Sequence, residues 1–413
     1  MQGSAQDFAR EIDTRTATVL PKVVTWRRDL HQHPELSNRE VRTAKLVAEH
    51  LRALGLEVQT GVAKTGVVGL LRGGRPGKVV ALRADMDALP VTELTDLPFK
   101  SVEKAIYNGQ EVGVMHACGH DAHVAMLMGA AEVLSGLRSQ IPGSVKFIFQ
   151  PAEEGAPPGE TGGARDMIAA GVLDAPKVDA IFGLHVFPFE QGALLVRPGG
   201  LMASADTLRI TVHGRQTHGG VPWGGVDPIV VSAQIVTALQ TIVSRQIDVT
   251  NAPAIVTIGR ITGGVRVNII PDSVTMEGTI RTLDAQMQDD IHARVTRTAK
   301  LIAESAGAEA DVQIERGTPV TSNDPALTAR MTPTLQRVAG KVTDVKPRTV
   351  AEDFALFQQQ VPGMFFFLGI NAKGADPEKV AQNHTPQFFV DEGALPTGIR
   401  ALANLAMDYL TAK

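Results

Sequence analysis

The amino-acid sequence predicts an α/β protein in which one domain is inserted into another. Five short apolar runs of strand length are separated by helical stretches, which is typical of strands buried on both faces of a sheet. Between about residues 200 and 318 the order of predicted elements changes to βαββαβ, the order of a ferredoxin-like unit. We therefore predict a first domain formed by residues 1–200 and 319–413, and a second, inserted domain formed by residues 201–318.

The elements of the first domain follow from local patterns. Apolar residues recur at helical intervals from Asp7 to Leu30, and Pro34 stops that helix. A second helix is predicted from Asn38, as its N-cap, to about Leu54, where Gly55 closes it. The five predicted buried strands are "GVVGLL" (66–71), "KVVALRA" (78–84), "SVKFIFQ" (144–150), "DAIFGLH" (179–185) and "GMFFFLGI" (363–370).

Composition favours small-molecule chemistry. The 413 residues carry 40 basic and 44 acidic side chains, a formal net charge of -4, without long runs of one sign, so neither nucleic acid nor an anionic membrane is an expected partner. The apolar runs are shorter than a membrane span, and residues 1–20 lack a signal-peptide core. One cysteine forms no internal disulfide. We expect a cytoplasmic protein. The alternative is an exported form whose signal peptide has been removed.

Polar residues follow the predicted strands, where ligands bind in open α/β sheets. These residues are Asp85 and Asp87, Glu153 and Glu154, His185, and further along the chain His384. Another group, His116, Cys118 and His120, precedes a helical run. Each histidine or cysteine alone is more often a packed side chain than a ligand. Together, carboxylate, imidazole and thiolate are the ligand types that divalent transition metals take, so the joint pattern predicts a metal centre.

The neighbours Glu153 and Glu154 fit two different tasks. Adjacent side chains point in different directions, so one carboxylate can bind a metal ion while the other faces a bound water. The second carboxylate can accept the proton of that water and return it to a leaving amine.

Nine segments, taken in order, resemble the family of metal-dependent aminoacylases, hippurate hydrolases and auxin-conjugate amidohydrolases, which belongs to the clan of di-metal carboxypeptidases and aminoacylases. The resemblance covers nearly the whole chain. The segments are "RRDLHQHPELS" (27–37), "LRADMDALPVTE" (82–93), "MHACGHDAH" (115–123), "FQPAEEG" (149–155), "GLHV" (183–186), "HGGVPWGGVDPI" (218–229), "NIIPDSVTMEGTIRTLD" (268–284), "EDFA" (352–355) and "NHTPQF" (383–388).

The resemblance implies a role for ten residues of this chain. Two divalent ions (zinc, manganese, cobalt or nickel) would be held by Cys118, His120, Glu154, His185 and His384. Glu153 would act as the general base and acid, and Asp87 would orient the metal centre from behind the ligands. In the inserted domain, His218 would reach the active site of the partner subunit and polarise the scissile carbonyl there, and Asn268 and Arg281 would hold the substrate's carboxylate.

The fold that the resemblance implies is a mixed-sheet, di-metal peptidase-like catalytic domain with a ferredoxin-like lid that also mediates dimerisation. A homodimer through the lid domain, or a higher oligomer built from it, is the expected assembly. This expectation agrees with the insertion predicted from periodicity.

The predicted function is cleavage of the amide bond of N-acyl or N-aroyl amino acids, or of similar small amides, by metal-activated water. A dipeptidase or carboxypeptidase of the same clan is the first alternative. A cysteine hydrolase with Cys118 as nucleophile is a second, although it leaves Glu153, Glu154 and His185 without a task. A non-catalytic binding homologue is the third, and Glu153 argues against it.

Overall fold

The structure, a computed structural model, describes residues 5–340, 342–375 and 379–412. Its helices are α1 (Ala5–Gln32), α2 (Val41–Ala53), α3 (His120–Ser135), α4 (Gly163–Ala169), α5 (Pro228–Thr241), α6 (Ala285–Ser305), α7 (Pro325–Ala339), α8 (Phe354–Gln358) and α9 (Leu395–Thr411). Its strands are β1 (Glu57–Val62), β2 (Gly66–Arg72), β3 (Arg75–Asp85), β4 (Lys104–Tyr107), β5 (Gln110–Gly113), β6 (Pro142–Gln150), β7 (Ala180–Glu190), β8 (Leu194–Val196), β9 (Gly199–Met202), β10 (Ala205–His213), β11 (Thr217–His218), β12 (Ala254–Gly263), β13 (Ile269–Ile270), β14 (Ser273–Thr282), β15 (Glu309–Thr318), β16 (Thr321–Asn323), β17 (Val342–Asp344) and β18 (Gly363–Asn371).

The chain divides into two compact units. The first comprises Met1–Gly199, Asn323–Val345 and Leu356–Lys413, and the second comprises Gly200–Ser322 and Lys346–Ala355.

An eight-stranded mixed sheet organises the first unit, with the strand order β1-β2-β6-β3-β7-β18-β8-β17. Strands β6, β3, β7 and β18 are parallel neighbours at its centre, and β1, β2 and β6 pair antiparallel at one side. The central strands are buried along most of their length. Because helices cover both faces of such strands, their sequences are continuously apolar. The predicted α/β fold with a mixed sheet is therefore confirmed.

Helices α1, α3 and α9 pack against one another and, with the sheet, enclose the core of the first unit. Helix α3 is the most deeply buried of these, because nearly every residue from His120 to Leu134 is inaccessible to solvent. Its N-terminal residue, His120, is therefore held rigidly by packing behind it.

The predicted N-cap of the second helix is wrong. Helix α2 begins at Val41, and Asn38 instead has a positive φ of 62°. The Asn38 side chain donates to Glu160 and to the carbonyl of Thr161. The carboxylate of Glu35 accepts hydrogen bonds from backbone amides in the first turn, at 2.9 Å each. A glutamate upstream of the helix therefore satisfies the N–H groups that the sequence pattern had assigned to an asparagine.

The second unit contains a four-stranded antiparallel sheet with the order β12-β14-β10-β15. Its elements follow one another as β10, α5, β12, β14, α6 and β15, the predicted βαββαβ order, with the short pair β11 and β13 added. Alternate residues of β10 are buried, since one face of the sheet packs under α5 and α6. Side chains on the opposite face, such as Arg209, are exposed.

Helix α5 with the turn that follows it, Pro228–Gln246, is long and apolar enough by composition alone to cross a membrane. A core helix meets the same criterion. Three residues of α5, Val231, Ile235 and Leu239, are buried in the core of the second unit, whereas Ile229 and Val230 are exposed.

Candidate metal centre

The carboxyl ends of the parallel strands meet at one edge of the large sheet, and three of the predicted site segments begin there. Strand β3 ends at Asp85 and β6 ends at Gln150, so Asp87 and the Glu153–Glu154 pair lie just beyond them. His185, the last residue of the predicted strand 179–185, lies inside β7, which continues to Glu190. Pairing of β7 with β3 stops at Gly183, and β7 runs on past its neighbour, so His185 still lies at the same edge.

Two backbone features bring the remaining ligand segments to this edge. Gly119 has a φ of 95°, and a Cβ at this position would lie 2.3 Å from Val186 Cγ2, so only glycine allows the turn that places Cys118 and His120 side by side. His384, from the loop after β18, donates its backbone N–H to the carbonyl of Ala117 at 2.7 Å. The loop is thereby fixed next to Cys118.

All five predicted metal ligands lie together in the first unit. Cys118 Sγ is 3.3 Å from His185 Nε2 and 3.1 Å from His384 Nε2. His384 Nε2 is 3.2 Å from Glu154 Oε1, and His120 Nε2 is 3.9 Å from that same oxygen. These atoms form two groups able to hold a metal ion, Cys118–His120–His185 and Cys118–Glu154–His384, which share the cysteine.

Hydrogen bonds fix which ring nitrogen each histidine presents. His120 Nδ1 donates to the backbone carbonyl of Asp87 at 2.7 Å, and His185 Nδ1 donates to the carbonyl of Val186 at 2.8 Å. Because a carbonyl can only accept, the proton must sit on Nδ1 in both neutral rings. The Nε2 lone pairs therefore point toward Cys118 and the carboxylates, as metal ligation requires.

Two buried atoms in the cluster have no hydrogen-bond partner among the described residues: His120 Nε2 and Glu154 Oε1. A buried polar atom without a partner is costly unless something else satisfies it. Burial alone would lower the pKa of His120, but Asp85, Asp87 and Glu154 outweigh it and raise that pKa to about 10. The cluster thus attracts positive charge, and its nitrogen, oxygen and sulfur donors fit a divalent transition metal.

The surroundings of Cys118 suit a metal ligand better than a nucleophile. Burial, with Glu154, Glu153 and Asp85 nearby, raises the pKa of the Cys118 thiol well above its usual range. Catalytic cysteines need the opposite shift, which a nearby cation or helix N-terminus supplies. A metal cation at the cluster would reverse the effect of the carboxylates and favour the thiolate.

Asp87 lies next to the predicted metal ligands and links their segments through hydrogen bonds. Its buried carboxylate accepts hydrogen bonds from the Ser37 hydroxyl at 2.7 Å and from the backbone amides of Glu153 and Glu154 at 3.1 and 3.0 Å. One of its oxygens also lies 3.4 Å from His120 Nδ1. Burial acts to raise the pKa of Asp87, but His120 and these donors lower it overall, so the group is a carboxylate. The position agrees with the predicted orienting role.

Two supporting residues were not assigned from the sequence. His123 uses both of its nitrogens: Nδ1 donates to Asp85 at 2.6 Å, and Nε2 accepts from the amide of Val186 at 2.9 Å. Asn383 donates to the carbonyls of Cys118 and Val186 at 3.1 and 3.2 Å. Both lie beside predicted ligands in the chain, and that proximity is the only signal the sequence offers for them. His116, in contrast, belongs to none of the clusters formed by the described residues.

Replacing Asn383 with alanine should weaken metal binding by about tenfold, because its amide joins the segments of Cys118, His185 and His384. Competition with a chromophoric chelator measures the metal Kd. Gln382→Ala is the matched control, since that neighbouring side chain donates to the carbonyl of Val380 and not, among the described residues, to the segments of Cys118 or His185. An Asn383→Ala variant with an altered melting temperature but unchanged metal Kd would show a purely structural role.

The predicted residues His218, Asn268 and Arg281 lie in the second unit. Strands β11 and β13 pair His218 with Ile269, and Gly219 donates to the carbonyl of Asn268 at 2.8 Å. His218 and Asn268 are both exposed. Arg281 lies on β14, paired with Ile255 of β12. Their roles in substrate binding stay predictions.

The fold and the cluster define a hydrolase-type metal centre at the edge of an α/β sheet, and comparison with known proteins identifies the family. A family model described as Peptidase family M20/M25/M40 matches residues 81–408, and the chain belongs to this family. The resemblance to metal-dependent amidohydrolases is confirmed, and the protein is a hydrolase that acts on C–N amide bonds.

Three relatives illustrate the match. Thermostable carboxypeptidase 2 of Saccharolobus solfataricus is 44% identical over 408 residues, which are 98% of this chain and 99% of that protein. N-acetylcysteine deacetylase of Bacillus subtilis is 38% identical over 391 residues, 94% of this chain and 97% of that protein. The crystal structure of the Bacillus subtilis YXEP protein, a dinuclear metal binding peptidase from the M20 family, is 36% identical with a TM-score of 0.82, and the match covers 96% of this chain and 100% of that one.

Proposed function

We propose that this protein is a two-metal amidohydrolase that cleaves N-acyl or N-aroyl amino acids into a carboxylate and a free amino acid. The observation that supports this most strongly is the arrangement of Glu153. Its Oε2 lies 4.0 Å from His120 Nε2, and Glu153 forms a further possible metal-binding group with His120 and Glu154. The five predicted ligands also form two groups that do not include Glu153. A carboxylate that borders a metal centre whose other donors can hold the ions is suited to proton transfer.

The two ligand groups would hold one ion each, with Cys118 common to both. When bound, divalent ions supply Lewis-acid chemistry, lowering the pKa of a water and polarising a carbonyl oxygen. His384 has a side chain 53% exposed to solvent, unlike the buried Cys118, His120 and His185. A small substrate would therefore approach from the side of His384.

The chain's own residues would then move the protons. Glu153 accepts a proton from the attacking water, and the same carboxyl group delivers it to the leaving nitrogen, so the amine departs neutral. Asp87 accepts hydrogen bonds from the backbone amides of Glu153 and Glu154, which fixes where the two carboxylates point. His218, in the second unit, would polarise the scissile carbonyl in the active site of a partner subunit, and Asn268 and Arg281 would hold the carboxylate of the amino acid.

Carboxypeptidase activity is the second candidate, because a carboxypeptidase is 44% identical over nearly the whole chain. Both reactions break an amide bond next to a free carboxylate and use the same centre. They differ in whether the acyl part is a simple acid or a peptide. Rates on N-acetyl and N-benzoyl amino acids, compared with dipeptides of the same C-terminal residue, separate the two.

Removal of metal should abolish activity reversibly. We expect a chelator to reduce hydrolysis of N-acyl amino acids to background, and added zinc, manganese, cobalt or nickel to restore it, because the carboxylate-rich cluster lacks its Lewis acid without an ion. The assay is hydrolysis of N-acetyl, N-benzoyl and indole-acetyl amino acids before chelation, after it and after reconstitution. A cysteine hydrolase would keep its activity in the chelator, and a binding homologue would hydrolyse none of these compounds at any stage.

A further inference from the structure

A cleft of about 110 Å³ borders the candidate metal centre in the first unit and has Glu154 in its wall. Apolar residues make up much of its lining, among them Leu36, Leu89, Pro90 and Pro157. Leu36 is itself buried in a small cluster with Ala88. The cleft therefore joins an apolar surface to a predicted metal ligand.

One wall of the cleft is the tip of the hairpin formed by β4 and β5. The two strands pair from Lys104 opposite Gly113 to Tyr107 opposite Gln110. Its two turn residues, Asn108 and Gly109, have φ values of 49° and 77°, the left-handed conformation that a tight two-residue hairpin turn requires. Residues 106–108 line the cleft.

The hairpin is held at its base and presents apolar side chains at its tip. Gly113 lies so close to Thr92 that a Cβ would be 2.6 Å from the Thr92 hydroxyl. At the other end, Ile106 is 69% exposed and Tyr107 is 38% exposed. Apolar side chains exposed beside a candidate active site are typical of surfaces that bind a ligand.

The charges of the cleft indicate which part of a substrate it takes. Among the described residues that line it, the charged ones are Arg39 and Glu154. Both terminal nitrogens of Arg39 contact the carboxylate of Glu160, at 3.2 and 2.5 Å. Lys64 also donates to Glu160, at 2.6 Å, so the single negative charge of Glu160 is shared by two cations. With Glu154 of the lining counted as well, these four side chains carry no net charge, and the cleft offers little net attraction to the carboxylate of an amino acid. It suits an uncharged, apolar group.

We propose that this cleft binds the acyl group of the substrate and that the hairpin tip, through Ile106 and Tyr107, makes the enzyme prefer a single aromatic ring or a branched alkyl chain there. The inference rests on the proposed amidohydrolase function. An enclosed apolar cavity of about 150 Å³ holds one benzene molecule, so a cleft of about 110 Å³ that is also open to solvent is of the scale of one ring.

The test compares two substrate series in the metal-loaded enzyme. The acyl series is N-acetyl, N-(3-methylbutanoyl) and N-benzoyl leucine, and the amino-acid series is the N-acetyl derivatives of alanine, leucine and phenylalanine. We expect Tyr107→Ala and Ile106→Ala to lower the ratio of kcat/KM for N-benzoyl over N-acetyl leucine by about tenfold, the scale of losing a few apolar contacts in a pocket. Ratios within the amino-acid series should stay within about twofold.

Val102→Ala is the matched control, because Val102 is an apolar residue just before β4 that is 75% exposed and does not line the cleft. It should leave both series of ratios unchanged, and Tyr107→Phe, which keeps the ring, should retain the benzoyl preference. A change confined to the amino-acid series, or an equal loss on every substrate, would overturn the assignment.

A failure of the proposed amidohydrolase function would give a different result from a failure of the acyl-cleft proposal. Wild-type enzyme that hydrolyses none of these five compounds refutes the amidohydrolase, whereas hydrolysis with an unaltered acyl preference in both hairpin variants refutes only the acyl cleft. Calorimetric titration of the metal-free protein with N-benzoyl and N-acetyl leucine tests the cleft without turnover. Tighter binding of the benzoyl compound that Tyr107→Ala abolishes supports it, and equal Kd values for the two compounds contradict it.

Discussion

Replacing Glu153 with glutamine should lower kcat by about 10²- to 10⁴-fold, the usual contribution of a positioned general base and acid. Glutamine keeps the size of the side chain but can neither accept the water's proton nor return one to the leaving nitrogen. Because the five predicted ligands form their two groups without Glu153, metal content should stay full. Steady-state kinetics and elemental analysis of the same preparation measure both quantities.

Glu49→Gln is the matched control for this substitution. Glu49 lies on α2 with its side chain 62% exposed, near Lys45, so the same chemical change there should leave kcat and metal content as in the wild type. Turnover by Glu153→Gln within about tenfold of the wild-type value, with metal content intact, would remove Glu153 from the proton-transfer role.

The second large effect is expected for Asp87→Asn, which should weaken metal binding by about 10- to 100-fold and lower activity accordingly. Both oxygens of the Asp87 carboxylate act as acceptors, from Ser37 and from the amides of Glu153 and Glu154. An asparagine has one acceptor oxygen, and its NH₂ group would face donors. The Glu153–Glu154 turn and the His120 ring should therefore lose their fixed orientation.

Competition with a chelator gives the metal Kd of Asp87→Asn, and activity is then assayed at saturating metal. Asp96→Asn provides the comparison, because Asp96 is an exposed carboxylate in the loop that follows. Thermal unfolding with and without metal separates a loss of stability from a loss of affinity. Should Asp87→Asn bind metal as tightly as the wild type, the orienting role assigned to this carboxylate is wrong.

The sequence predicted the central strands well because their chemistry is unambiguous. Runs such as "SVKFIFQ" and "GMFFFLGI" are mainly apolar, and the structure buries them as β6 and β18. The alternating pattern of β10, "DTLRITVHG", equally reflects a sheet with one covered face. Such elements are set by short-range patterns of burial, which a sequence displays directly.

Features that depend on three-dimensional contact could not be predicted in this way. Strand β7 continues past His185 to Glu190, beyond the end of its pairing with β3 at Gly183, and the local sequence did not indicate that extra length. Helix α2 is capped by Glu35 and not by Asn38, since a distant glutamate, Glu160, takes the asparagine side chain. In each case a residue remote in sequence decided the outcome.

The same distinction applies to the candidate site, where some residues could be predicted from the sequence and others depend on contacts in the folded chain. Residue types and their positions after strands indicated the metal-binding character of Cys118, Glu154 and His185, and the family resemblance specified the full set. The positioning contacts of His123 and Asn383 arise only once β7 and the loop before Phe388 lie beside Cys118. Likewise, the apolar cleft exists because the β4–β5 hairpin lies close to the segment of Glu154.

Anomalous diffraction from crystals of the manganese-loaded protein tests the central claim most directly. The account predicts two anomalous peaks per chain, one in contact with Cys118, His120 and His185 and the other with Cys118, Glu154 and His384, with Glu153 beside them. Absence of any peak at this cluster in fully active, metal-loaded protein would contradict the metal centre. So would an acyl group found covalently attached to Cys118 after exposure to substrate.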